Sequence, residues 1–244
     1  MKVAQVNENS VIVYFSDTVS EQTADSIASA LPAIRAQLEQ YVVDIVPSYT
    51  SILISVDLLT IGMSDFCQQL EQVLAERSGS AVFSQIKTIE LPVYYGAEVA
   101  LDAETICEHT GLTFQQVVDI HSSTTYRVYA IGFAPGFAYL GNTDERIAIP
   151  RKQTPRLNVP AGSLALADRQ TAIYPKASPG GWQVIGRTPL NLIDFERENL
   201  SVFEMGAQVR FKAIDRATFL KMGGVLPIES VKDSAQEQEG EHGA

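Results

Sequence analysis

The sequence predicts an α+β protein in which a small α/β unit precedes an antiparallel β-barrel. Strand and helix patterns alternate over residues 1–95, whereas helix patterns nearly disappear after Tyr126. Most of the 11 prolines lie between Tyr126 and Asp194, together with many glycines, and they separate short apolar segments. Because proline fixes φ and glycine permits positive φ, this stretch specifies the backbone in detail. We expect one domain over 1–95, a second over 96–228 and a disordered acidic tail over 229–244.

The first elements follow the order of a ferredoxin-like fold. Val11–Phe15 is rich in β-branched and aromatic residues, which favours a strand. A helix opens at Ser20, and Pro32 lies inside its apolar pattern and should kink or split it. The elements that follow are a strand at Tyr41–Val46, a strand at Ser51–Val56, a helix capped by Ser64 and a strand at Thr88–Tyr95. The resulting β-α-β-β-α-β order predicts one sheet formed by all four strands.

Two short helices separate this unit from the barrel. Asp102 caps the first helix and Gly111 ends it, while Thr113 and Gln116 form a capping box for a second helix that ends near His121. The strand candidates after it are Tyr126–Phe133, Arg146–Ile149, Gly162–Leu166, Thr171–Tyr174, Trp182–Gly186, Leu190–Ile193 and Gln208–Ala213. Short strands at such spacing indicate a closed or nearly closed antiparallel barrel. One later helix is expected over Asp215–Met222.

Composition limits the classes of function. A net charge of −11 argues against nucleic-acid binding, which normally requires a basic face. Two cysteines form no disulfide framework, and no cluster has the spacing of metal ligands. The sequence contains neither an apolar run of about 20 residues nor a signal-peptide core, so we expect a cytoplasmic protein with no membrane partner. A Walker-type phosphate loop and a Gly-x-Ser-x-Gly elbow are also missing from the sequence.

The strongest candidate for a binding site is the segment Gly132–Gly141. It places Phe133, Phe137 and Tyr139 on a turn that contains Pro135 and Gly136. Such rings could form an apolar wall with a polar tip beside accessible backbone amides. A buried β-turn with core aromatics is an equally good interpretation of the same residues.

Cations and polar groups at nearby loops are further candidates. Arg156 and Arg187 offer the planar fork that suits carboxylates and phosphates, and Arg151 and Lys152 lie in the same proline-bounded loop as Arg156. Solvated charges or local ion pairs are the alternative. His121 could act as an acid–base group or as a packing residue. Gln170, Tyr174 and Trp182 are amphipathic residues at predicted strand ends, where the rim of a pocket would lie. Trp182 could equally fill the barrel core.

The run from His121 to Asp194 resembles the protein family of the 5-oxoprolinase B subunit, also called KipI-like or allophanate hydrolase subunit 1. The matching segments are His121, Tyr126–Tyr129, Gly132–Gly141, Pro150–Arg151, Pro155–Arg156, Val159–Ser163, Gln170–Pro175, Ser178–Trp182 and Gly186–Pro189. The resemblance implies a ferredoxin-like domain followed by a cyclophilin-like barrel. The segment Leu166–Arg169 departs from the family, which tends to carry small residues and glycine there.

The resemblance also implies a function. The chain would be one subunit, inactive alone, of an enzyme that opens 5-oxo-L-proline to L-glutamate with ATP as co-substrate, and it would need subunits A and C. ATP would bind on a partner or at an interface. The residues implied in catalysis are His121, Arg156, Gln170 and Arg187, and those implied in substrate binding are Phe133, Pro135, Gly136, Phe137, Tyr139, Leu140, Tyr174 and Trp182. Alternatives are inhibition of a sensor histidine kinase by direct binding and a small-molecule-binding subunit without either activity.

Overall fold

The computed structural model describes residues 1–76, 88–196 and 200–227, which form a four-stranded sheet, a closed barrel and a two-stranded sheet. The α+β class is therefore confirmed. The predicted tail over 229–244 lies outside the described residues. No helix within the described ranges is long and apolar enough to cross a lipid bilayer.

The N-terminal half packs two helices on one antiparallel sheet. Its elements are β1 (Lys2–Gln5), β2 (Ser10–Tyr14), α1 (Glu21–Leu38), β3 (Val42–Pro47), β4 (Ser51–Val56) and α2 (Met63–Glu76). The strand order is β1-β2-β4-β3. Ser20 caps α1 through the backbone N–H of Thr23, as predicted, and α1 continues through Pro32 as a single helix. The buried face of the sheet meets Ile27 and Ile34 of α1 and Phe66 of α2.

One strand lies in a different sheet from the one predicted. The strand β5 (Thr88–Tyr94) was expected to complete the N-terminal sheet, and that prediction is wrong because β5 pairs with barrel strands. Its buried residues Leu91 and Val93 belong to the barrel core. The N-terminal strand β1 takes the edge position beside β2 instead. Local composition did not reveal β1, because the short segment Lys2–Gln5 carries no continuous apolar run.

The barrel half begins with β5 and contains the remaining elements. They are α3 (Ala103–Thr110), α4 (Phe114–Ser123), β6 (Thr125–Ile131), β7 (Ala138–Gly141), β8 (Arg156–Val159), β9 (Ser163–Ala167), β10 (Gln170–Ile173), β11 (Ser178–Gly180), β12 (Gln183–Arg187), β13 (Gln208–Ile214) and α5 (Arg216–Lys221). The barrel closes in the order β10-β7-β6-β13-β5-β12-β9, while β8 and β11 form a separate pair. The barrel is antiparallel except for the parallel pair β13–β5. Two predicted strands are absent: Glu145–Ile147 is a 3-10 helix and 190–193 is irregular.

Side chains from every strand fill the barrel interior. One apolar cluster takes residues from all seven strands, among them Val93, Val128, Leu140, Leu166 and Phe211. Only the inward face of a closed barrel can bring all of its strands together in this way. Residues that alternate with these along a strand, such as Ala165 and Ala167 of β9, belong to a second cluster. That second cluster therefore covers the outer wall of the barrel.

Candidate functional site

An aromatic cluster lies on this outer wall, beneath the loop that joins β6 to β7. Phe137 is its centre, with ring centroids 4.9 Å from Tyr139, 5.6 Å from Tyr174, 6.0 Å from Trp182 and 5.2 Å from Phe133. The rings meet mostly edge to face, the arrangement that aromatic quadrupoles favour. Small side chains of β9 and β10 leave room for them on the barrel wall: Ala165, Ala167 and Ala172. We call these five aromatic residues the aromatic cluster.

The loop above the cluster adopts a specific and strained backbone. Gly136 has φ of 80°, and a Cβ atom there would lie 2.7 Å from the carbonyl oxygen of Leu192. Phe133 also has positive φ, 74°, although it carries a bulky side chain, and 64% of its surface is exposed. A non-glycine residue in this region is strained by roughly 1–3 kcal/mol, and such strain concentrates at functional sites. The loop therefore holds an exposed ring at the edge of the cluster.

The N-terminal half contributes a ring that the sequence did not reveal. Tyr49, in the loop between β3 and β4, stacks on Tyr129 with centroids 6.1 Å apart and meets Tyr139 edge to face at 6.1 Å. Its hydroxyl accepts a hydrogen bond from Nε2 of Gln170 at 2.7 Å. Burial and the nearby Tyr139 raise the pKa of Tyr49, which stays a neutral phenol. Gln170 thus links the two halves of the molecule beside the aromatic cluster.

Arg151 lies beside Trp182 of the aromatic cluster. Its guanidinium carbon is 5.5 Å from the centroid of the Trp182 ring. The neighbouring backbone holds this loop against β12, because the N–H of Lys152 donates to the carbonyl of Gly181 at 2.7 Å and Nε2 of Gln183 donates to the carbonyl of Pro150 at 3.1 Å. A cation over an indole face is stabilised by about 0.5–2 kcal/mol. Arg151 is therefore held beside the cluster although its side chain is exposed.

Arg156, a predicted catalytic residue, is engaged in a buried ion cluster. Its two terminal nitrogens donate to the two carboxylate oxygens of Asp102 at 2.6 and 2.8 Å. Asp102 also accepts from Nζ of Lys152 at 2.8 Å and from the N–H of Val184 at 2.7 Å. Burial alone raises the pKa of Asp102, but these hydrogen bonds outweigh it and hold the pKa below its usual value. The Arg156 fork is therefore occupied within the chain.

Arg187 and His121 are also held by contacts within the chain. Arg187 donates from Nε to the carbonyl of Ala161 and from Nη1 to that of Val225, both at 2.8 Å, and its partial burial lowers its pKa. His121 is fully buried, with Nδ1 3.0 Å from the hydroxyl of Tyr95 and Nε2 3.0 Å from that of Thr171. Burial lowers the pKa of His121 to about 3, so the ring is neutral at physiological pH. These surroundings favour the packing interpretation of His121.

The other predicted residues divide between the site and its support. Pro135 and Gly136 shape the turn, whereas Leu140 faces the barrel interior. The departure from the family pattern at Leu166–Arg169 lies in the tight turn between β9 and β10, where Arg169 pairs with Glu145 at 2.8 Å. Across residues 1–76, 88–196 and 200–227, no three His, Cys, Asp or Glu side chains form a group that could hold a metal ion.

Comparisons with known proteins agree over most of the chain. The sequence profile of the carboxyltransferase domain, subdomains C and D, matches residues 1–203. A Bacillus subtilis (strain 168) protein, named as the B subunit of 5-oxoprolinase, is 31% identical over 227 residues, covering 89% of this chain and 95% of that protein. The Haemophilus influenzae protein of the same name is 34% identical over 211 residues, covering 86% and 97%. The crystal structure of TTHA0988 superposes on 90% of this chain with a TM-score of 0.74 at 30% identity, and this chain spans 41% of that longer one.

Proposed function

The chain belongs to the protein family of the 5-oxoprolinase B subunit, and from that membership we propose that it is one subunit of a cytoplasmic, ATP-dependent 5-oxoprolinase. The complete enzyme would convert 5-oxo-L-proline to L-glutamate and would contain subunits A and C besides this chain. The observation that carries the proposal is the agreement with two relatives of that name over nearly their whole lengths.

The chemistry of the lactam explains why a multi-subunit enzyme would use ATP. A five-membered lactam is a stable amide, and its carbonyl is a poor electrophile. Phosphorylation of the carbonyl oxygen would create a good leaving group and make the carbon open to attack by water. In this proposal, ATP is a substrate of the assembled enzyme. Because this sequence has no Walker-type phosphate loop, ATP would bind on a partner or at the interface with one.

The aromatic cluster is the part of this chain that we assign to the lactam. Tyr139 is partly exposed and packs against Phe137 and Trp182, which are only 2% and 5% exposed, so the ring surface that would meet a small planar amide is that of Tyr139 and the exposed Phe133. Phe133 would cover the bound ring from the solvent side, because it is exposed and is already in contact with Phe137. Gln170 and Tyr49 would fix the far edge of the site through their hydrogen bond.

A partner chain would complete the site. The cluster lies on the outer wall of a barrel whose interior is filled by side chains, so a ligand on that wall is open to a second chain. This chain spans 41% of the single chain of TTHA0988, which leaves room in that protein for a further unit beside the matched one. The second point supports an association with further protein, and the first supports a companion subunit that covers the outer wall.

Reconstitution tests the proposal. The purified chain is mixed with subunits A and C, and glutamate release from 5-oxoproline is measured with and without ATP. We expect release only when all three subunits and ATP are present. Two exposed phenylalanines provide a matched pair: Phe133→Ala should lower the rate, whereas Phe195→Ala, with 79% of Phe195 exposed, should not. Failure of three correctly folded subunits to release glutamate would contradict the proposed function.

A further inference from the structure

Resting on the proposed function, we propose that Arg151 is the residue of this chain that recognises the carboxylate of the substrate. The aromatic cluster would hold the flat lactam ring, and Arg151 would pair with the acid group attached to that ring. The ligand class is thus a small carboxylate on a planar amide ring. Arg151 would set specificity against neutral lactams without taking part in bond breaking.

Arg151 lies beside Trp182 without using its N–H donors in a contact with the described residues. The guanidinium carbon lies 5.5 Å from the centroid of the Trp182 ring, and the side chain of Arg151 is exposed, so its N–H donors can be reached from the solvent. No residue in the described part of the chain offers Arg151 a carboxylate or a hydrogen-bond acceptor. An arginine that already lies beside an aromatic ring loses less side-chain freedom when it pairs with a bound carboxylate.

The nearby arginines that could perform this task are already engaged. Both terminal nitrogens of Arg156 donate hydrogen bonds to the carboxylate of Asp102, and Arg187 donates to two backbone carbonyls. A substrate carboxylate at either residue would have to displace these partners. Pairing with Arg151 displaces none, so the free energy of the new charge-assisted hydrogen bonds is available for binding.

The local charge also favours an anion. Arg151, Lys152 and Arg156 lie within six residues of one another, and among residues 1–76, 88–196 and 200–227 the carboxylate that pairs with any of them is that of Asp102. One negative charge against three positive charges leaves a local excess of two, in a protein whose net charge is −11. An excess of positive charge beside the aromatic cluster suits an anionic ligand.

The single tryptophan of the sequence provides the measurement. Trp182 lies beside both Arg151 and Tyr139, so its fluorescence reports on ligands at this place. The full-length chain is titrated with 5-oxo-L-proline and with 2-pyrrolidone, the same lactam without the acid group, and calorimetry repeats each titration. We expect saturable binding of 5-oxoproline, and we expect the affinity for 2-pyrrolidone to be lower by at least about tenfold. A charge-assisted hydrogen bond is worth about 10- to 100-fold in affinity.

Two variants decide the role of Arg151. Arg151→Gln should lower the affinity for 5-oxoproline by about tenfold or more and remove the preference for 5-oxoproline over 2-pyrrolidone. The control Arg146→Gln removes another exposed arginine, one that pairs with Asp144, and should bind both ligands like the native chain. Unchanged affinity and preference in Arg151→Gln would overturn the inference, and so would the absence of saturable binding both to the native chain alone and to the reconstituted complex.

The outcome is separable from that of the proposed function. If the reconstituted enzyme releases no glutamate but the chain still prefers 5-oxoproline over 2-pyrrolidone through Arg151, the carboxylate site stands and the proposed reaction fails. If the enzyme turns over and Arg151→Gln leaves the KM for 5-oxoproline unchanged, the reaction stands and the carboxylate site fails.

Discussion

Replacement of Asp102 by alanine should destabilise this protein far more than the loss of a surface acid. The carboxylate is only 2% exposed and accepts hydrogen bonds from Lys152, from both terminal nitrogens of Arg156 and from the N–H of Val184. It occupies the N-cap position of α3, but its side chain makes no capping hydrogen bond there, so the prediction that Asp102 caps this helix is wrong. Instead it joins α3 to the loop 150–156 and to β12. The alanine variant leaves these donors without an acceptor.

The size of the effect follows from burial. Removing one partner of a buried ion pair costs about 3–5 kcal/mol, because the remaining charge is left uncompensated. Lys152 and Arg156 are each 24% exposed, so water relieves part of the penalty and favours the lower end of that range. For a protein of this length each kcal/mol moves the melting temperature by about 2–4 °C. Asp102→Ala should therefore melt at least about 6 °C below the native chain.

Thermal unfolding by circular dichroism and urea unfolding by Trp182 fluorescence measure this loss. Glu145→Ala is the control, because its pair with Arg169 is exposed on both sides and should contribute less than about 1 kcal/mol. Equal losses in the two variants would refute the reasoning. Acid gives a second check: the pKa of Asp102 is lowered on folding, so its contribution is present above the unfolded pKa of about 3.9 and is lost as pH falls through the folded pKa.

Three further predictions concern the core and the loop. Burial lowers the pKa of His121 to about 3 in the folded protein, below its unfolded value of about 6.5. The free energy of unfolding should therefore decrease as the pH is lowered from 6.5 towards 3, by up to about 1.4 kcal/mol per pH unit. The variant His121→Leu should show a smaller dependence on pH. Gly136→Ala places a Cβ atom 2.7 Å from a backbone carbonyl oxygen at a residue with positive φ, and it should lower the free energy of unfolding in urea by about 1–3 kcal/mol. The control Gly132→Ala meets open space and should lower it by less than about 1 kcal/mol. Tyr49→Phe should lower the free energy of unfolding by about 0.5–1.5 kcal/mol, because it removes the hydrogen bond with Gln170. In a double-mutant cycle, Gln170→Ala should destabilise the Tyr49→Phe variant less than it destabilises the native chain.

Elements with local signals were predicted well. The strand Ser51–Val56 was predicted with its observed bounds, because β-branched and apolar residues there alternate in burial along a strand. The capping box of Thr113 and Gln116 is present, with both reciprocal hydrogen bonds. Such signals lie within a few residues, so the sequence carries them directly.

Sheet partners and composite sites could not be predicted in the same way. The strand at 88–94 has a clear apolar pattern, but the pattern does not say which sheet it joins, and the residues of its partner β13 lie 120 positions later. Tyr49 has no unusual neighbours in sequence, yet its hydroxyl meets Gln170, 121 residues away. The face of a closed barrel on which a ring lies depends on register, so the sequence could not place Trp182 on the outer wall.

The two arginines of the loop 150–156 show why residue type alone does not identify a binding group. Arg151 and Arg156 share a charge, a short segment and neighbouring prolines, and Arg151 lies beside Trp182 of the aromatic cluster. What distinguishes them is Asp102, which lies 54 residues before Arg156 and neutralises it. A free cation is available to a ligand, whereas a buried pair already has its partner and must lose it first. The assignment of a substrate carboxylate therefore follows from which donors folding leaves unused, and that can be read only after the distant acid has been placed.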